Sequence, residues 1–146
     1  MPARKPPSGR RFYTAEQANR ALPLVKAIVG DIVPLYQSLV ERRERLSETG
    51  VDPVMALDEK HPDDLAPAYA EFARDWERLR ELEEELRQLG IIFKGGNGLV
   101  DFPCWRDGRE IYLCWQLGEP EVSFWHEIDA GFAGRQPLKL EIVSSS

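Results

Sequence analysis

The chain has 146 residues, 42% hydrophobic and 30% charged, which suits a single domain with one core. Its formal charge is −6, and four cations in the first eleven residues leave the rest near −10. So acidic a body excludes broad, phosphate-driven nucleic-acid binding.

Residues 1–11, MPARKPPSGRR, mix proline, glycine and serine with Arg4, Lys5, Arg10 and Arg11, and read as a disordered basic tail. One domain is expected over 12–140, with 141–146 as a second tail. No apolar leader and no run of 18 apolar residues is present, so a cytoplasmic protein without membrane contact is expected.

Thr14 followed by Gln17 is a capping-box pattern that starts a helix at Ala15. Apolar residues then recur at steps of four and three: Ala18, Leu22, Val25, Val29, Ile32, Tyr36, Leu39 and Leu46. Ala21, Ile28 and Leu35 widen that stripe to the width of a helical bundle. Pro34 should kink this helix of 12–47 against the Gly30 carbonyl, and Pro23 offers a break that would split off a short first helix.

Periodicity fails over 48–62, a long connection. Asp58, Glu59, His61, Asp63 and Asp64 crowd there without a fixed ligand spacing, and a helix cap at Asp63 or Asp64 explains them better than a metal. A helix over 63–90 follows from Leu65, Tyr69, Phe72, Trp76, Leu79, Leu82, Leu86 and Leu89, with Gly90 at its stop. The two helices should pack antiparallel. Much of their stripe would stay wet in one copy, so a homodimeric four-helix bundle is expected.

From 91 to 128 the period becomes that of a small antiparallel sheet. Ile91–Phe93 reads as a short strand and Gly95–Gly98 as a turn, since GGNG lacks the lysine and helix of a phosphate loop. Asp107-Gly108 is a strong hairpin signal between Leu99–Arg106 and Arg109–Leu117. A two-residue turn pairs Arg106 with Arg109, Cys104 with Ile111, Phe102 with Leu113 and Val100 with Trp115 on an apolar face turned to the helices. Trp105 with Glu110, Pro103 with Tyr112 and Asp101 with Cys114 share the opposite face. The two thiols therefore point apart, which excludes a disulfide and a two-thiolate metal site. Glu121–Ile128 is a third long strand, with Trp125 and Glu127 on one face and Val122, Phe124 and His126 on the other. Residues 129–140 form a glycine-containing C-terminal loop. The expected class is mainly α with a small antiparallel β part: a helical hairpin followed by a three-stranded meander.

Chemistry-bearing residues concentrate in Leu99–Leu138, which holds three of the four tryptophans and both cysteines. Two uses compete. In a metal- or small-molecule-dependent enzyme, His126 would be ligand or general base beside Glu127 and Asp129, with Glu119 or Asp101 in support. One histidine among scattered carboxylates is a poor metal signature, so no metal is expected, His126 and Asp129 being the weak candidates. The plain alternative buries His126 among Phe124 and Trp115. In a binding module, Arg106, Arg109 and Arg135 would hold an anionic small molecule or acidic partner segment, and Trp105, Tyr112, Trp125 and His126 would supply contact area. Arg135 paired to Asp129 is the structural alternative there. The residues favour a binding or interaction module and specify no cofactor.

WHEIDAGFAGR, with FYTAEQANRALPLV, LVDFP, DGREIYLCW and GEPEV before it, resembles the bacterial proteins grouped as domain of unknown function 2203, over Phe12 to Leu138. That resemblance implies a small bacterial cytosolic protein with a helical hairpin and a short sheet, and it implies no activity, substrate or cofactor.

Overall fold

Helix α1 (Ala15–Ser47) opens on the expected capping box: the Thr14 hydroxyl accepts from the Gln17 amide at 3.1 Å, and the Gln17 side chain accepts from the Thr14 amide at 2.9 Å. The computed structural model describes residues 4–58 and 64–138. α1 runs unbroken through Pro23 and Pro34, so no short first helix splits off. Both prolines occupy exposed positions, where water can take the carbonyls that they leave unpaired.

Helix α2 (Ala66–Gln88) has Pro67 in its first turn, and its N-cap is Leu65, which makes no side-chain cap bond; Asp64 is not the cap. Asp63, Glu59 and His61 lie outside the described residues. At the other end the Gly90 amide donates to the Arg87 carbonyl and the Ile91 amide to the Leu86 carbonyl. Those two bonds are a Schellman stop, and Gly90, at φ 79°, has the left-handed backbone that it needs. In the connection, Pro53 and Ala56 are buried, and the Tyr69 hydroxyl of α2 reaches the Val51 carbonyl at 2.7 Å.

The strands are β1 (Ile92–Gly95), β2 (Leu99–Arg106), β3 (Arg109–Gln116), β4 (Phe124–Glu127) and β5 (Gln136–Pro137), in one antiparallel sheet of that order. The fold is thus mixed α/β with five strands, where a mainly α chain with three was expected. β1 adds to β2 through Ile92 and Phe93, and β5 closes the far edge on Phe124 and Trp125. β1 answers to the short strand read at Ile91–Phe93, whereas β5 is two residues held by backbone bonds and leaves no period in the sequence.

The core lies between the helices and one face of the sheet. Leu22, Val25, Val29, Ile32 and Leu39 of α1 meet Phe72, Leu79, Leu82 and Leu86 of α2, with Val100, Phe102, Ile111, Leu113 and Trp115 from the sheet; all are buried. Most of each helical stripe is therefore buried within a single chain, because the sheet covers much of what two helices alone would leave wet; Tyr36 stays exposed, and Leu35 and Trp76 are partly buried. By length and composition α1 is apolar enough to cross a membrane; the core stripe supplies part of that character, and exposed Leu24 and Val40 add to it.

Candidate functional site

The site region is built on the β2–β3 hairpin. Asp107 and Gly108 both have positive φ, 52° and 78°, the signature of a primed two-residue turn whose twist matches the strands. All eight Cα pairs fall in the register that this turn dictates, from Leu99 opposite Gln116 to Arg106 opposite Arg109. One face of the hairpin joins the core. The outer face carries Asp101, Pro103 and Trp105 beside Cys114, Tyr112 and Glu110. β4 then pairs His126 with Tyr112, Phe124 with Cys114 and Trp125 with Leu113. His126 and Phe124 thus join the outer face, and Trp125 the inner one.

A buried polar cluster occupies one end of the outer face. Asp101, Cys114 and His126 are 1%, 0% and 2% exposed. Their donor atoms lie within 4.8 Å of one another. His126 Nε2 stands 3.0 Å from Asp101 Oδ1, and His126 Nδ1 stands 2.7 Å from the Glu127 carbonyl oxygen. A carbonyl only accepts, so Nδ1 carries a proton and Nε2 is the nitrogen presented to Asp101. The Tyr112 ring meets the imidazole edge-on at 5.6 Å. Asp101 Oδ2 is buried with no hydrogen-bond partner. Burial, and then the Asp101 charge, push the Cys114 thiol up to about 12.

At the turn end of the same face lie residues 4–12, of which 4–11 belong to the segment expected to be a disordered tail. It has no helix or strand but makes specific contacts. The Trp105 indole donates to the Arg4 carbonyl at 3.0 Å, and both Nη atoms of Arg10 reach the two Glu110 oxygens at 2.5 and 2.6 Å. Phe12 packs edge-on against Trp105 at 5.6 Å, and the Tyr13 amide donates to the Pro103 carbonyl.

The remaining expected site residues are divided among other tasks. Arg109 pairs with Glu127, whose carboxyl this guanidinium holds below the usual range. Arg135 pairs with Glu119 at 2.8 Å, not with Asp129. Asp129 is exposed in the turn after β4, outside the buried cluster. Trp115 is on the core face, so it does not cover His126, and Trp125 is on the opposite face from Trp105 and Tyr112. Of the carboxylates considered for His126, Asp101 reaches its ring with a side-chain oxygen, while Glu127 does so with its main-chain carbonyl. Cys114 and Glu110 went unrecognised. The hairpin register already placed Cys114 beside Asp101, but the link to His126 needed the β3–β4 register.

Residues 11–138 match the profile of the family described as an uncharacterized conserved protein, DUF2203. The chain belongs to this family. No curated protein and no solved structure matches the chain.

Proposed function

We propose that the chain is a binding module whose turn-end outer face takes an extended, proline-containing segment that carries arginine. The observation behind this reading is the fork-to-fork pairing of Arg10 with Glu110, set beside an indole N–H aimed at a main-chain carbonyl just before Lys5-Pro6-Pro7. Proline segments are extended in advance, and their carbonyls have no internal partners, so an aromatic N–H donor is a natural reader for them. Planar bidentate pairing then selects arginine over lysine.

The sign of the partner differs from the acidic segment or anionic small molecule that the sequence suggests. Arg109 and Arg135 are taken up by Glu127 and Glu119, whereas Glu110 faces a cation. In the folded chain, the protein's own residues 4–12 occupy the face. A second copy carries the same residues, so exchange of this arm is one route by which a homodimer would form.

Loosening the arm should free the face. A full chain with Arg10→Ala should bind a labelled peptide copying residues 2–12 roughly three- to tenfold more tightly than the unaltered chain does, as one partly exposed ion pair is released. Adding Glu110→Ala should remove the gain. Equal, weak binding by all three chains would refute the reading.

A further inference from the structure

We infer that Asp101, Cys114 and His126 form a binding site for a single divalent transition-metal ion of the zinc type. The site is separate from the peptide face proposed above and does not depend on it. Three adjacent strands, β2, β3 and β4, each supply one donor, so the trio is held by sheet hydrogen bonds and not by a loop. One carboxylate oxygen, one sulfur and one imidazole nitrogen form a donor set of intermediate softness, which suits zinc or cobalt and disfavours magnesium and calcium.

Three observations converge. The donor atoms all lie within 4.8 Å of one another. In a tetrahedral zinc site with bonds of about 2.0–2.3 Å, donors stand about 3.3–3.8 Å apart, so closure requires side-chain shifts of about 1 Å or less. Next, the His126 ring is anchored for ligation: Nδ1 is bound to the Glu127 carbonyl at 2.7 Å, which turns Nε2 toward Asp101 and Cys114. Metal-bound histidines characteristically hold their second ring nitrogen this way. Finally, Asp101 Oδ2 is a buried acceptor that no N–H or O–H donor reaches, with the weakly donating Cys114 thiol beside the same carboxylate. Such an atom is costly to leave unpaired, and a cation between the carboxylate and Cys114 would satisfy it.

Without an ion, a proton has to lie between Nε2 and Oδ1. The ion takes the place of that proton and of the thiol proton, so binding releases protons to solvent. Three protein donors leave a fourth tetrahedral position for water or a small ligand.

The test uses the full chain, stripped with a chelator and titrated with cobalt(II) and then with zinc(II). A thiolate-to-cobalt charge-transfer absorption should rise, saturate at one ion per chain and vanish as zinc displaces cobalt. The same band should persist in Cys104→Ala, which assigns it to Cys114 without disturbing the cluster. Asp101→Asn should weaken cobalt binding roughly tenfold or more. Absence of the band from the unaltered chain overturns the inference, and any cobalt taken up without it sits on surface carboxylates. Loss of the band in Cys104→Ala overturns the assignment equally, and either result leaves Asp101, Cys114 and His126 as a hydrogen-bonded structural trio.

Discussion

The guanidinium of Arg135 lies over the Phe124 ring, 3.8 Å from its centroid, and 4.7 Å from the centroid of the Phe132 ring. One Nη also reaches Glu119 at 2.8 Å and the Cys114 carbonyl at 3.4 Å. This side chain therefore pins the C-terminal loop across the sheet next to the buried cluster. Arg135→Ala should lower unfolding stability by about 2 kcal/mol, combining a shielded cation–π contact with a lost charge-assisted bond. Arg135→Lys should recover less than half of that, because an ammonium has no planar face to lay on a ring. Urea denaturation of the three chains measures both effects, and full recovery by lysine would show that stacking is not the source.

Asp101 and His126 share one buried hydrogen bond, and the two ways of altering it should differ sharply. In chelator-treated protein, Asp101→Ala removes the partner of a buried imidazole nitrogen and should cost about 3 kcal/mol or more. Asp101→Asn can donate its amide to Nε2 while Nδ1 keeps the Glu127 carbonyl, so its cost should be about 1–2 kcal/mol. Equal losses for the two variants would mean that the carboxylate itself, and not a hydrogen bond that an amide can replace, is what Asp101 contributes.

Alkaline pH should weaken the fold through Cys104, which faces the core. Burial pushes its thiol up to about 11 from 9.0. Between those values the unfolded chain has given up a proton that the folded chain still holds, so stability falls as pH rises from about 9 to about 11. Cys104→Ala lacks this group. The difference in Tm between it and the unaltered chain should therefore shrink between about pH 8 and about pH 10.5; a constant difference would show that the thiol gives up its proton over the same pH range in the folded and unfolded chains.

Much of the scaffold was legible because it obeys short-range rules. Thr14 with Gln17 starts α1, and Gly90 ends α2, each through bonds spanning a few residues. Asp107-Gly108 sets every pair of the hairpin, since its positive φ angles permit only one twist and side chains alternate faces at each step. That register already set Asp101 beside Cys114 and parted the two thiols. The same alternation separated Trp125 from His126.

Closing the cluster depended on something else. The β3–β4 connection starts with a turn in which the Glu119 amide donates to the Gln116 carbonyl at 3.0 Å, but it then runs on through Pro120 to Ser123, so that turn does not fix how β4 lines up with β3. Asn19 of α1, 103 residues from Val122 in the chain, takes the Val122 amide at 2.7 Å and donates to its carbonyl. Glu119 folds back to accept from the Gln116 amide at 2.8 Å. The arm of residues 4–12 is a similar case: composition marks it as unable to fold alone, and only the Trp105–Glu110 surface gives it a place. Turn angles, caps and face alternation are written in neighbouring residues. The meeting of Asp101, Cys114 and His126 rests on contacts between distant parts of the chain, which exist only once the core has brought helix and sheet together.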